Sequence, residues 1–293
     1  MASGYHSHML SLALSAAILD VDTEFRAMSF NIWVGGTRHQ PISQTVKAIE
    51  AAKADIVGIQ EPGSSLAAIA EGLKWNKSEK AAIVTKFEIL EDWKVEGNRH
   101  GGARIKLSNG KEVIVYNDHF TAYPYGPYEV RDGKAKTVED VVKVEENSGR
   151  VKQMRAILTH IDKASHGLRP IVITGDFNTP SHLDWVNRTR SRTFGMVMPW
   201  PVTVEAEKAG FTDSFRTLHR DPASKPGFTW SPGYPVPNIE KNDVMDRIDF
   251  VLYRGALRVK KSEVVGETGP ISDIALDPWP SDHRAVVTTF LMN

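Results

Sequence analysis

Several apolar stretches of this chain end in side chains able to bind a cation or move a proton. Ile171-Val-Ile-Thr runs into Gly175-Asp176-Phe177-Asn178, and Thr179-Pro180 then turns the chain. An apolar β-branched run closed by Gly and Pro reads as a buried strand leaving its sheet at a loop. Asp176 and Asn178 sit two apart, so in extended chain both project to the same side. Asn31, Glu61, His119, Asp249, Asp282 and His283 punctuate other apolar stretches in the same way. Carboxylates that meet Asn and His in a protein interior are costly to bury unless positive charge offsets them. Hard oxygen donors including one or two carboxylates suit Mg²⁺ or Mn²⁺, which take their remaining contacts from water and phosphate oxygens. Neighbouring imidazoles and amides can stabilise the charge that grows on a transferring phosphoryl group. The set points to metal-assisted phosphoester hydrolysis.

The elements that must position these groups follow from periodicity. Phe25–Trp33 reads as a strand carrying Asn31 near its end, and Pro41–Ala54 as a helix with Ile42, Val46 and Ile49 on one face. Ile56–Glu61 is a buried strand closed by Pro62-Gly63, and Ser65–Leu73 a short helix. Ala81–Thr85 and Phe87–Leu90 look like paired strands, and Lys111–Phe120 is a strand that gathers polar groups at its end. The polar segment Thr121–Asn147 opens with Tyr123-Pro-Tyr-Gly-Pro-Tyr128 and reads as a long functional loop. Arg150–Asp162 returns to helix periodicity, and a further helix is expected near His182–Arg188. Pro222–Asn242 is a Pro/Gly-rich loop, Met245–Tyr253 a strand with Asp249 near its start, and Ala285–Leu291 the closing strand. Uneven alternation of strands and helices implies mixed sheets covered by helices, an α/β chain without a clean βαβ series.

Composition narrows the class. The 293 residues are 41% hydrophobic and 25% charged, ordinary values for a globular enzyme with ample core. The formal net charge is zero, so no global field draws the chain to polyanions; nucleic acid stays possible as a partner but is not favoured. Cysteine is absent, which excludes disulfides, thiolate chemistry and Cys-based zinc sites, and leaves the compartment open. No run has the length of a membrane span. Residues 1–24 read as an extension, beginning with the scar-like Met1–His8; Leu10–Leu19 has the length of a signal h-region but lacks preceding basic residues. A strand or helix packed on the domain is the preferred reading of that stretch. Residues 25–293 are expected to form one catalytic domain, monomeric, with secretion slightly favoured over the cytoplasm.

Asn31, Gln60-Glu61, Asn117-Asp-His119, Gly175-Asp-Phe-Asn178, Arg247-Ile-Asp249 and Ser281-Asp-His283 stand in the order found in the endonuclease/exonuclease/phosphatase superfamily, the DNase I-like enzymes. The resemblance runs from about residue 25 to the C-terminus. Each motif alone is weak; Gly-Asp-Phe-Asn followed by a late Ser-Asp-His in this order is specific. The resemblance implies a four-layer α/β/β/α sandwich, two mixed sheets face to face with helices outside, and a site at one rim. It further implies Glu61 as main metal ligand, with Asn31 and Asp282 near the metal or its waters. By the same resemblance Asp176 orients or deprotonates water and Asn178 holds water and the phosphate. His283, oriented by Asp249, donates to a phosphate oxygen, and His119 meets the phosphate from the opposite side. Asp118 departs from the Thr or Ser common at that position; strand alternation turns it away from His119, and little effect is expected. Singly, these residues have plainer readings: Asn31 as a strand end, Asp249 paired with Arg247 or Arg254, Asp282 as a cap, the histidines as satisfied core groups. Their joint order is what argues for a centre.

Substrate contacts are less determined. Tyr123, Tyr125 and Tyr128 could stack on a base or sugar, or staple their loop to the domain. Arg188, Arg190 and Arg192 could reach the rim, or form a solvated basic run. Trp230 is expected to pack beneath the site, with Trp200 and Trp279 as possible lining. The reading is a divalent-metal phosphodiesterase attacking a small, lipid- or sugar-linked phosphodiester by in-line water. A DNase I-like nuclease on DNA or RNA is the alternative, and a phosphomonoesterase of the inositol-phosphatase sort comes third.

Overall fold

A computed structural model describes residues 23–164 and 166–292. The readings of residues 1–22 as scar, extension or signal remnant lie outside the described residues. β-branched and apolar runs form thirteen strands in two sheets among those residues. They are β1 (Thr23–Asn31), β2 (Ile56–Gln60), β3 (Asn76–Ser78), β4 (Ile83–Thr85), β5 (Glu88–Lys94), β6 (Gly101–Lys106) and β7 (Glu112–His119). β8 (Ile171–Asp176), β9 (Thr212–Asp213), β10 (Asp249–Arg254), β11 (Arg258–Gly266), β12 (Ile274–Ala275) and β13 (Ala285–Met292) complete them. One sheet has seven strands in the order β12-β11-β13-β1-β2-β4-β3, the other six in the order β5-β6-β7-β8-β10-β9. Both are mixed: β1 runs parallel to β2 and β7 parallel to β8, while β13 and β10 join them antiparallel.

Strand alternation splits the apolar residues into layers. Phe25, Ile56, Val286 and Phe290 of the larger sheet meet Ile105, Val115, Val172 and Val251 of the smaller one in the central core. The outer face of the larger sheet packs on α1 (Ile42–Ala51) and α2 (Leu66–Leu73) through Phe30, Val57, Ile59, Ile49 and Ile69. The outer face of the smaller sheet packs on α5 (Arg150–Lys163) and α6 (Pro201–Lys208) through Ile173, Phe250, Met154 and Val202. The expected four-layer sandwich is what forms. Gly58 lets the sheets close: a Cβ there would meet Thr174 Oγ1 at 2.0 Å and Asn117 Oδ1 at 2.4 Å. Asn117 then crosslinks the sheets, accepting from Gln60 Nε2 at 2.6 Å and donating to the carbonyls of Ile59 and Ala81.

Some elements differ from expectation. The segment 121–147 is not one long loop; it holds α3 (Gly126–Arg131) and α4 (Val138–Ser148). Pro127 suits the first turn of α3, and a Thr137/Asp140 capping box starts α4. Arg150, fully buried against Glu145, donates to the carbonyls of Thr121 and Pro124 and fixes the chain between β7 and α3. β4 and β5 are not partners: β4 pairs with β2 and β3, whereas β5 crosses to pair with β6 in the other sheet. The helix expected near His182–Arg188 is only a 3₁₀ turn at Asn187–Thr189. Hydroxyls of Ser181, Thr203 and Thr189 take the amides of Leu183, His182 and Val186, bonds that compete with helix. α7 (Ser214–Leu218), starting at an Asp213 cap, completes the helices of the described residues. None of them is long and apolar enough to cross a membrane.

Candidate active site

Register brings the polar groups to one rim. In the smaller sheet His119 lies opposite Asp176 across the parallel β7–β8 pair, and Asp249 lies opposite Asp176 across the antiparallel β8–β10 pair. In the larger sheet Asn31 pairs with Gln60, so Glu61 emerges just past the end of β2. Ser281 Oγ donates to the Asn31 carbonyl at 2.7 Å and accepts the His283 amide at 3.1 Å, which sets Asp282 and His283 over the same edge.

Asp176 is the hub. Its Oδ2 accepts from Asn31 Nδ2 at 2.9 Å and lies 3.5 Å from His119 Nε2 and 3.7 Å from His283 Nε2. Its Oδ1 accepts the Asn178 amide at 2.9 Å, and Asn178 Nδ2 donates to the Phe120 carbonyl. Glu61 Oε1 stands 3.4 Å from Asn31 Nδ2 and 3.9 Å from His119 Nε2, while Oε2 accepts the Val34 amide at 2.7 Å. His283 Nδ1 meets Asp249 Oδ2 at 3.0 Å. The groups of both sheets thus converge within the reach of one cation and one phosphate.

The backbone is strained to achieve this. Trp33, Val34, Glu61 and Asn178 all adopt positive φ, between 46° and 57°, where a side chain crowds its own carbonyl. For the β-branched Val34 that conformation costs on the order of 1–3 kcal/mol. Its amide is thereby aimed at Glu61, as the Trp33 amide is at Asn31 Oδ1.

Electrostatics separate the roles. Burial pushes the Asp176 carboxyl up to about 7, against the pull of His283 and with the repulsion of Asp249. Burial opposes charge on His283, but the Asp249 and Asp176 carboxylates outweigh it and lift the imidazole to about 10. Burial, reinforced by Arg99, lowers His119 to about 3 and keeps it neutral. Burial raises Asp282 to about 6, with Glu61 adding repulsion against the pull of His283.

Two groupings could face a cation. Atoms of Asp176, Asp249 and His283 lie within 4.8 Å of one another. There the His283–Asp249 bond and the raised His283 favour a proton on the ring, which competes with a metal for the same nitrogens. The other grouping is Glu61, Asn31 and Asp282. Asp282 Oδ1 is buried without a hydrogen-bond partner, an orphaned acceptor that a cation would satisfy.

Every candidate for chemistry is therefore at the rim. The plainer reading of Asp249 fails for a specific reason: Arg247 pairs with Asp184 and Asp213 rather than Asp249, and Arg254 donates to the Ala209 carbonyl. Among substrate candidates, Tyr123, Tyr125, Tyr128 and Trp230 line a cleft of about 180 Å³ together with Glu61, His119, Asp176, Asn178, Asp282 and His283. Tyr123 is 69% exposed at its mouth. Tyr125 and Tyr128 also staple their segment, donating to Asp246 and Asp243. Trp230 packs against the site, with its ring 4.8 Å from that of His283.

The basic run does not reach the cleft. Arg188 pairs with Asp221, Arg192 donates to the Pro222 carbonyl, and Arg190 is exposed to solvent. Trp200 and Trp279 are buried core residues rather than lining; Trp279 Nε1 holds the His283 carbonyl at 2.7 Å. Residues overlooked in the sequence are Trp33 and Val34, Arg99 beside His119, and Thr229, whose Oγ1 accepts the amides of Ile248 and Asp249. The Gly35-Gly36 pair directly after Trp33-Val34 was the available signal for the first pair. Asp118 sits beside His119 in β7, and its Oδ1 anchors the Arg99 and His100 amides, contacts the sequence did not indicate.

Comparison with known proteins agrees with the geometry. The sequence profile of the Endonuclease/Exonuclease/phosphatase family matches residues 28–283. An uncharacterized protein of Caenorhabditis elegans is 30% identical over 294 aligned residues, covering 90% of each chain. Truncated TDP2 from C. elegans shares the fold at a TM-score of 0.58 and 19% identity, covering 92% of this chain and 97% of that one. The human Nocturnin catalytic domain, solved with a bound sulfate anion, gives a TM-score of 0.58 at 15% identity, covering 93% and 97%. An endonuclease/exonuclease/phosphatase protein from Beutenbergia cavernae gives 0.58 at 16% identity, covering 92% and 72%. The chain belongs to the endonuclease/exonuclease/phosphatase family, whose members are hydrolases acting on phosphoester bonds.

Proposed function

We propose that the chain is a divalent-metal-dependent phosphodiesterase that opens a small, lipid- or sugar-linked phosphodiester by in-line attack of water. The observation that carries this is the convergence of Asn31 Nδ2, His119 Nε2 and His283 Nε2 on one oxygen of Asp176, at 2.9, 3.5 and 3.7 Å. Glu61 would hold Mg²⁺ or Mn²⁺, with Asn31 and Asp282 beside it, and the orphaned Asp282 oxygen fits that assignment. When bound, the cation supplies Lewis-acid charge to the phosphate.

The chain's own groups do the rest. Asp176, ionised above about 7, orients a water and takes its proton. Asn178 is held by Asp176 and the Phe120 carbonyl, which keeps its amide at the edge of the cleft as a second polar contact for water and phosphate. His283, cationic through Asp249, donates from Nε2 to a phosphate oxygen. Neutral His119 faces the same oxygen of Asp176 from the other side.

The lining of the cleft supports a diester with a compact flanking group. One wall is aromatic and apolar, built from Tyr123, Tyr128, Trp230, Trp33 and Val34. Zero net charge and the remote Arg188–Arg192 run weigh against a long grip on a polyanion. The exposed Tyr123 ring favours a nuclease as second reading, since such a ring can stack on a base. The test compares bis(p-nitrophenyl) phosphate, p-nitrophenyl phosphate, plasmid DNA and a choline phospholipid in Mg²⁺. The proposal expects diester or phospholipid turnover above monoester turnover. Rapid plasmid nicking with slow turnover of the other substrates overturns it in favour of the nuclease.

A further inference from the structure

We infer that Arg99 is a positioning residue for His119: its guanidinium donates to Nδ1 and so keeps the imidazole proton on Nε2, the nitrogen that faces the reacting centre. Arg99 Nη1 lies 3.5 Å from His119 Nδ1, a long contact but with a fixed polarity. Guanidinium has donors and no acceptor, so the ring nitrogen it meets must offer a lone pair. On the far side of the ring, Nε2 faces Asp176 Oδ2 at 3.5 Å and Glu61 Oε1 at 3.9 Å, both of which attract a proton. A cation at one ring nitrogen and two carboxylates at the other select the same tautomer. The side chain of Arg99 is free to serve this purpose, being exposed and without a carboxylate partner among the described residues.

Asp118 brings Arg99 into place. This buried carboxylate accepts, on Oδ1, the amides of Arg99 and His100 at 3.1 Å and of His119 at 2.9 Å. Lys94 Nζ adds a bond of 2.9 Å to the Arg99 carbonyl. The turn between β5 and β6 is thereby tied to the end of β7, and Arg99 rides on that turn. Asp118 is thus the clamp that holds a cation behind His119. His283 reaches the same end by the opposite device: there Asp249 takes the proton of Nδ1 into its own hydrogen bond.

The inference rests on His119 facing the phosphate, as proposed above, and its primary test needs no substrate. Imidazole ¹⁵N–¹H correlation spectra are recorded on the metal-free full chain labelled with ¹⁵N-histidine. The His119 resonances are identified by their loss in His119→Asn. The wild type is expected to show His119 protonated at Nε2 alone. Arg99→Met should admit an Nδ1-protonated form, and Arg99→Lys, which restores a donor and a charge, should suppress it. A wild-type Nδ1–H tautomer, or an Arg99→Met spectrum identical to the wild type, overturns the inference whatever the substrate proves to be. On bis(p-nitrophenyl) phosphate, Arg99→Met should lower kcat about tenfold, no more than His119→Ala, with KM nearly unchanged, the low end of the effect of removing an orienting partner. Arg99→Lys should recover most of that loss. A raised KM with unchanged kcat would instead make Arg99 a substrate contact and end the positioning role.

Discussion

His119 and His283 approach the same oxygen of Asp176 from two sides, at 3.5 and 3.7 Å, and the fold prepares them in opposite ways. Behind His283 stands a carboxylate, Asp249, at 3.0 Å; behind His119 stands the Arg99 guanidinium at 3.5 Å. Burial disfavours charge on both rings. Asp249 and Asp176 overcome it at His283 and raise that ring to about 10, whereas Arg99 adds to it at His119, which falls to about 3. At neutral pH one imidazole is a cation and the other a neutral ring. The sharpest difference between them is the group that faces Nδ1, a carboxylate at His283 and a guanidinium at His119.

The contrast makes unequal demands on the two residues. In the proposed roles, His283→Ala would remove a charged donor to a phosphate oxygen and should lower kcat on the order of a thousandfold. His119→Ala removes a neutral contact and should cost roughly ten- to a hundredfold. Steady-state kinetics on bis(p-nitrophenyl) phosphate measure both, and equal losses would break the distinction.

The pH profile sharpens it. Asp176 acts as a base only when ionised; its raised value of about 7 means that form is present above pH 7 and lost as pH falls. His283 acts as a donor only when protonated; its raised value of about 10 means that form is present below pH 10 and lost as pH rises. Plotted against pH, kcat/KM should therefore form a bell, its acid limb at or below about 7, since the proposed cation would lower that limb, and its alkaline limb near 10. Asp249→Asn should lower activity about a hundredfold and draw the alkaline limb toward neutrality. An unmoved alkaline limb would mean that Asp249 does not sustain the charge on His283.

The smallest effect belongs to the aromatic wall. Tyr123 is 69% exposed, so Tyr123→Ala should change stability by less than about 0.5 kcal/mol in thermal unfolding. It should damage turnover of the preferred substrate more than turnover of a small activated diester. Equal loss on both would make Tyr123 a structural residue.

The strand-end residues were legible in the sequence because each sits where an apolar β-branched run stops, and period-two alternation fixes its face. Asp176, His119 and Glu61 illustrate this, and the order of the motifs carried the sandwich with them. The pairing of β5 was not legible, since adjacency in sequence suggests a hairpin and nothing local records a crossing between sheets. The helices α3 and α4 were hidden by a polar segment whose capping box outweighs its low hydrophobicity. Arg99 was invisible for a different reason: its role depends on Asp118 gathering amides from another strand end, a tertiary contact with no periodicity. Arg188, Arg190 and Arg192 stayed open between two readings because a charge run looks alike whether it faces substrate or an acidic neighbour such as Asp221.

The central claim is that Asp176 serves as the base of a cation-assisted phosphodiesterase. Initial rates of bis(p-nitrophenyl) phosphate hydrolysis in Mg²⁺, for wild type and Asp176→Asn at pH 8, test it most directly. The account predicts turnover by the wild type that chelation abolishes, and a loss on the order of a thousandfold in Asp176→Asn with folding intact. Comparable rates for the two proteins, or wild-type turnover indifferent to chelation, would contradict it.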